Sequence, residues 1–538
     1  MASAEMKTKT VLLWWGAAFV ATALVGAGIA ALLLDISGKK AQGRQYPLML
    51  NKVSDDHVDF AVWGKNFPSH LEAYQSMAQN NVPTEFGGSL PYSKLLRTTA
   101  MTALWAGYPF GLDFNEERSH FFSQIDQRDT KRNNKAWMNT HGLPKFAGQP
   151  GACMNCHSGW APALIRELGW ETFNKTPYWD LIAKIESAHG GDIHGAKMGS
   201  TCADCHAPED MSLRVTRPAY INAMVARGYE ADAGHGLKAT RQEMRSHVCQ
   251  QCHVEYYFKG PDKELTFPWS KWPKDQSLRI EMIEAYYNEA RQSTNGFKHD
   301  WIHKETGAAM LKMQHPETEL FSSGIHARSQ VSCADCHMPY KREGAVKITN
   351  HNITSPLQHI NASCQTCHPE SEADLRLRVQ KIQRSTAWSL KQAEGAILAL
   401  ITDINAARAG ILKTAAAGEA KTDEAREALL ATCLGEAREL HRRASMRWDF
   451  ISSENSMGFH SPQEATRVLQ GAVDLARQGQ LAVQATMQKA GIPDFKNTIK
   501  GEFPPVGRPI SDREDPAVGG FPPAACEQVD QAVERVEF

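Results

Sequence analysis

Cys153-Met154-Asn155-Cys156-His157, Cys202-Ala203-Asp204-Cys205-His206, Cys249-Gln250-Gln251-Cys252-His253, Cys333-Ala334-Asp335-Cys336-His337 and Cys364-Gln365-Thr366-Cys367-His368 repeat one pattern, Cys-x-x-Cys-His. In such a unit two thiols form thioethers to a porphyrin and the adjacent histidine ligates its iron, so each is a c-type haem attachment site. The units use ten of the chain's 12 cysteines. Zinc ribbons pair two half-sites about 15–20 residues apart. Here successive units begin 49, 47, 84 and 31 residues apart, and each has its histidine. Five haem c groups follow, and the uneven spacing excludes a stacked-repeat solenoid. Cys433 and Cys526 lie outside the units and read as a buried apolar thiol and a free tail thiol.

Working outward from the motifs, the surrounding composition fits a cofactor-built protein. Of 538 residues, 42% are hydrophobic, a modest share that covalent porphyrins supplement with their own apolar surface. The 59 basic and 60 acidic residues leave a net charge of −1, without the basic excess of a nucleic-acid binder. Val11 to Leu34 is a run of 24 residues without a charge, preceded by Lys7 and Lys9. As a helix it is about 36 Å long, enough for a bilayer core. The run reads as an uncleaved signal-anchor with a cytoplasmic N-terminus, residues 1–10; a cleaved signal peptide, usually with a shorter apolar region, is the alternative. Both readings carry the remainder to the periplasmic side of the membrane, where c-type haems are attached.

The order along the chain is then a linker over 35–59, a pentahaem region over 60–370, a long-helix region over 371–500 and a Pro-rich tail over 501–538. The fold class is mainly α, with irregular haem-wrapping loops and few strands. Leu375 to Ala417 has Ile382, Trp388, Ile397, Leu400, Ile401 and Ile404 at helical spacing. Thr422 opens a second helix, with Asp423 and Glu424 in its first turn. Ser461, Pro462 and Glu464 predict a capping box at the start of a third, which ends near Ala490 before Gly491 and Pro493.

A haem with histidine on both faces passes electrons but has no open position for a small substrate. Sixteen histidines lie outside the motifs, and their spacing does not say which ones are ligands. Arg132, in a polar run, reads by itself as a solvated surface charge.

Five further segments resemble the ammonia-forming cytochrome c nitrite reductases. They are Leu104-Trp-Ala-Gly-Tyr-Pro-Phe110, Cys249-Gln-Gln-Cys-His-Val-Glu-Tyr-Tyr-Phe258, Lys312-Met-Gln-His-Pro316, Cys333-Ala-Asp-Cys-His-Met-Pro-Tyr340 and Glu454-Asn-Ser-Met-Gly-Phe-His-Ser-Pro462. The similarity spans roughly Phe60 to Ala490. It implies distal ligands His120 for the third haem, His326 for the fifth, His351 for the second and His460 for the fourth. The first haem is left open as the catalytic centre, with Arg132, Tyr256 and His315 in its pocket. It also implies one calcium ion held by side-chain oxygens of Glu255 and Gln314 and backbone carbonyls of Tyr256 and Lys312. These groups suit the chemistry. Nitrite is an anion whose oxygens need hydrogen-bond donors and protons as N–O bonds break. Arg132 offers a fixed charge, His315 charge and protons near neutral pH, and Tyr256 a hydroxyl; a hard calcium ion takes oxygen ligands.

The resemblance further implies six-electron reduction of nitrite to ammonium, a homodimer through the long helices, and a quinol-oxidising membrane multihaem cytochrome as electron donor. One departure stands out: the family's usual first motif ends in lysine, and here His157 takes that place, as in some family members. Competing readings are an electron-transfer-only cytochrome, a reductase of hydroxylamine or sulfite, and a haem-rich scaffold in a respiratory complex.

Overall fold

The long helices assemble mainly where apolar periodicity and capping agree, and shorter elements fill the motif region. The computed structural model describes residues 2–43, 50–80, 82–88, 92–143, 148–269, 272–274, 276–293, 296–344, 346–414 and 418–504. The chain divides into two units, Met1–Lys52 and Val53–Phe538.

In the first unit, helix α1 (Ala2–Gly43) contains the apolar run. Its Thr10–Lys39 portion has a hydropathy of 2.3 and none of it is buried, so it is long and apolar enough to cross a membrane. The helix continues nine residues past Leu34, so the first part of the expected linker is helical. Its last part belongs to the second unit, where Val58 is already in an apolar core.

The second unit carries three long helices between residues 372 and 489. α2 (Glu372–Ile411) starts where the Ser371 hydroxyl accepts the Asp374 N–H, with Glu372 and Asp374 complementing the positive helix end. It starts three residues before the expected Leu375, and Ala417 lies outside the described residues. α3 (Asp423–Ser452) has Thr422 as its cap, accepting the Ala425 N–H. α4 (Pro462–Lys489) follows Ser461, but the predicted capping box does not form. The Glu464 carboxylate turns instead to Arg467, 2.7 Å away, which also pairs with Glu281. Beyond Lys489, Gly491 takes a positive φ of 78°, a turn that glycine adopts without steric cost.

The three helices pack on one another through Ile397, Leu400, Ile401 and Ile404 of α2, Leu434, Trp448 and Ile451 of α3, and Val468, Ala472 and Val483 of α4. Ile382 is half-buried and Trp388 is 38% exposed, so the stripe predicted for α2 faces the core only in its C-terminal half. Polar pins fix the register: the Trp448 indole N–H donates to Glu394, and the Gln480 amide to Asp403. Gly479 lets α4 approach α2, because a Cβ there would sit 2.7 Å from a Leu400 methyl. Cys433 is partly buried against this core, and Cys526 lies outside the described residues.

The motif region is built differently. Among the described residues its helices run to 13 residues at most, and four antiparallel hairpins supply its strands: β1 (Glu230–Asp232) with β2 (Gly236–Lys238), β3 (Tyr257–Lys259) with β4 (Glu264–Thr266), β5 (Trp301–Ile302) with β6 (Ala309–Met310), and β7 (Tyr340–Glu343) with β8 (Val346–Thr349). With 57% helix and 7% strand, the fold is mainly α.

Candidate functional site

The first, second and fourth motifs sit on single turns of helix, the third straddles the end of the ten-residue helix Arg241–Gln250, and the fifth lies in the turn that follows Ile360–Ser363. In the second and fourth, the aspartate between the cysteines accepts the backbone N–H of the residue before the motif: Asp204 from Thr201 at 2.6 Å and Asp335 from Ser332 at 2.8 Å. This caps the turn and fixes where the flanking cysteines point. Every cysteine and histidine of the five motifs lines one continuous cavity of about 3040 Å³. None of the ten motif cysteines is drawn into a disulfide. Ten cysteines and five imidazoles around one large void suit covalently held porphyrins.

The histidine rings carry more information than the cysteines. The centres of His206 and His351 are 6.3 Å apart, those of His120 and His253 5.9 Å, those of His337 and His460 6.4 Å and those of His326 and His368 6.3 Å. Two imidazoles that share a metal, each bonded at about 2 Å, have ring centres about 6 Å apart. Four motif histidines thus each have a facing imidazole at the spacing of a shared iron. Among the described residues, no imidazole faces His157 in this way.

Three of these rings turn Nδ1 to a backbone carbonyl. His206 Nδ1 lies 2.8 Å from the Met211 carbonyl, His337 Nδ1 3.1 Å from that of Thr354 and His351 Nδ1 2.9 Å from that of Thr349. Such contacts fix ring orientation and leave Nε2 for a metal. Burial brings His120, His337 and His351 each down to about 4, so these imidazoles are neutral, the form that binds a metal. His157, His253 and His460 differ: burial lowers each, but Glu117, Glu317 and Glu454 respectively more than reverse this, and His253 is held at about 9.

Around the first motif, Arg132 is buried at 9% exposure rather than solvated, which corrects the reading of Arg132 taken alone. Its guanidinium donates to the Asp113 carbonyl at 2.6 Å and stacks on Phe110 at 4.0 Å. Asp113 also accepts the Arg132 backbone N–H, so the loop presents the guanidinium at the cavity wall. Tyr256 and His315 line the same cavity. Burial pushes the Tyr256 phenol well above its ordinary range, keeping it a hydroxyl donor. Burial also brings His315 down to about 4, so it is a neutral N–H donor rather than the standing charge expected from the sequence.

The four expected calcium ligands converge beside this wall. Glu255, 1% exposed, accepts the Tyr287 hydroxyl at 2.5 Å and the Gln314 backbone N–H at 2.6 Å. The Tyr256 carbonyl accepts the Tyr287 hydroxyl at 3.3 Å, and the Lys312 carbonyl accepts the Gln314 amide at 3.2 Å. Burial drives the Glu255 carboxyl well above the usual range, the behaviour of an acid that a nearby cation would keep ionised. The Lys312 ammonium is engaged elsewhere, with Asp449 at 3.0 Å and Ser453 at 2.6 Å on the end of α3. Among the described residues, no group of three or more His, Cys, Asp or Glu forms a metal site, so a cation here relies on carbonyl and amide oxygens beside the single Glu255 carboxylate.

Sequence reasoning missed Glu117, Tyr287, Glu317 and Asp449. Glu117 Oε1 is 3.1 Å from His157 Nδ1, Glu317 is 3.9 Å from His253 Nδ1, and Asp449 anchors Lys312. No local pattern marks these acids, because each meets its partner only through the fold.

A family model described as Cytochrome c552 matches residues 59–505. A cytochrome c-552 of Parabacteroides distasonis is 36% identical over 443 residues, covering 81% of this chain and 80% of that one. A cytochrome c-552 of Porphyromonas gingivalis is 33% identical over 500 residues, covering 92% and 89%. Among solved structures, the catalytic subunit of the cytochrome c nitrite reductase of Desulfovibrio desulfuricans, described with two calcium sites, superposes with a TM-score of 0.68. It is 28% identical, with coverage of 82% of this chain and 88% of that one.

Proposed function

The chain belongs to the cytochrome c552 family, and on that footing we propose that it reduces nitrite to ammonium with six electrons and eight protons, releasing two waters. The observation that carries this reading is the asymmetry among the motif histidines. Four face an imidazole at 5.9–6.4 Å, whereas His157 shares its cavity wall with Arg132, Tyr256 and His315. We assign His351, His120, His460 and His326 as distal ligands of the second to fifth haems, and the open face to the first.

The bound haems supply electron relay and, at the first, a site for nitrite nitrogen. The protein's own groups do the rest. Arg132 holds the anion by charge, and its contacts to Asp113 and Phe110 remove the cost of orienting the guanidinium during reaction. His315 arrives neutral, donates its N–H to a nitrite oxygen, and takes up a proton as negative charge develops beside it. Tyr256 adds a hydroxyl donor. Glu255, Gln314 and the Tyr256 and Lys312 carbonyls would hold one calcium ion, which fixes the Tyr256 backbone and adds positive potential. The Desulfovibrio protein's described calcium sites favour this assignment.

The active chain acts on the periplasmic side of the membrane, retained there by α1. It pairs with a second copy through α2–α4 and takes electrons from a quinol-oxidising membrane cytochrome. Exposed Leu377 on α2 and Leu481 on α4 are apolar groups such a pairing covers.

The test is ammonium yield from nitrite with a chemical reductant and purified holoprotein. Stoichiometric ammonium is expected, and Arg132→Ala or His315→Ala should lower the rate roughly 100- to 1,000-fold with haem content preserved. Wild-type protein with five haems and no ammonium contradicts the reading.

A further inference from the structure

His157 differs from the other motif histidines in what its Nδ1 faces. The second and fourth motif histidines meet neutral backbone carbonyls, at 2.8 and 3.1 Å. The third and fifth have carboxylates only at 3.9 and 4.0 Å, Glu317 and Glu370. His157 has a carboxylate in contact, Glu117 Oε1 at 3.1 Å.

This contact is built into the fold. The segment carrying Glu117 is held on both sides: the Glu116 N–H donates to the Tyr92 carbonyl, and Arg118 binds Asp126 through its backbone N–H and guanidinium, at 2.6–2.9 Å. On the other side, the Ser123 hydroxyl donates to the backbone carbonyls of His157 at 2.9 Å and His120 at 3.1 Å, tying the two histidine backbones together. Glu117 lines the cavity beside Arg132 and His315.

An imidazole that gives its second N–H to a carboxylate becomes a stronger donor through its other nitrogen; such outer partners typically change metal affinity or activity 10- to 100-fold. We propose that Glu117 is a positioning residue for the first haem: accepting the His157 Nδ1–H, it fixes the ring and gives it partial imidazolate character toward iron. A lysine amine at position 157 has no second ring nitrogen for such tuning. In this chain the carboxylate accompanies the histidine, and its effect is to lower the reduction potential of that haem relative to one with an unassisted imidazole. This inference rests on the reading that the first motif carries the nitrite-binding haem.

The test compares wild-type holoprotein with Glu117→Gln, which keeps the side-chain shape and removes the charge, and Glu370→Gln as a control beside the exposed fifth motif. Resonance Raman spectroscopy of the reduced protein reads the iron–imidazole stretch, and spectropotentiometry reads each haem potential. In Glu117→Gln with five haems, the stretch of the first haem should fall and its potential rise, with the other four unchanged. Glu370→Gln should leave the first haem as in wild type. An unchanged stretch and potential in Glu117→Gln overturns the proposal. If that variant does not accumulate, Glu117→Asp draws the carboxylate back by one methylene; a smaller shift in the same direction supports the proposal, and no shift overturns it. The nitrite-site reading fails separately, if wild-type protein shows no high-spin haem; the Glu117 effect is then still read in the first haem's potential.

Discussion

The three-helix region and the motif region solve the same problem with opposite means. In α2–α4, Ile397, Leu400, Trp448, Val468 and their neighbours fill the space between helices with their own side chains. In the motif region, the five motifs and the segments between them, closed on one side by residues of α2–α4, enclose about 3040 Å³ that side chains leave open. Interiors are otherwise close-packed. The first region therefore folds around itself, and the second around what it binds. The difference also places the chemistry: rigid helices supply anchors such as Asp449, and irregular loops supply the reacting groups.

The strongest way to break this comparison is to block haem attachment throughout. The chain made without haem should lose protease resistance across residues 60–370, while α2–α4 keep the most resistant fragment. Equal resistance of both regions would show that the cavity walls hold without haem.

Next in size is the link between the regions. Lys312 and Asp449 are each 2% exposed and 3.0 Å apart, joining the site loop to α3. Asp449→Asn leaves a buried ammonium without its counter-charge, which costs about 3–5 kcal/mol. The guanidinium midpoint should fall, and calcium content and nitrite turnover should fall with it. A lower midpoint with normal turnover would mean that α3 stabilises the loop without positioning it.

A smaller effect belongs to the helices alone. Gly479→Ala places a Cβ 2.7 Å from a Leu400 methyl, an overpacking that costs about 1–3 kcal/mol. Thermal unfolding should shift down while haem spectra and turnover stay as in wild type. A spectral change would show that the two regions are less separable than their packing indicates.

The same contrast explains what was readable in the sequence. α2, α3 and α4 were visible because apolar periodicity, Thr422 and Gly491 act within a few residues, whereas the Ser371 cap that starts α2 was not read. Even there the Ser461–Glu464 capping box failed, because Arg467 and the distant Glu281 claimed the carboxylate. The motifs were legible because thioether chemistry fixes their spacing. The facing histidines were not: His120 lies 133 positions before His253, and His460 lies 123 after His337, so only family resemblance pointed to them. Glu117 escaped both routes, since nothing local marks an acid that meets His157 from 40 residues away. Arg132 looked solvated because its neighbours are polar, whereas Asp113 and Phe110 bury it.

The central claim is that one haem is open and four are closed. Electron paramagnetic resonance of the oxidised holoprotein, titrated with nitrite, tests it most directly. The account predicts one high-spin iron and four low-spin irons per chain, with nitrite converting only the high-spin signal. Five low-spin irons that nitrite leaves unchanged would contradict it and make the chain an electron carrier.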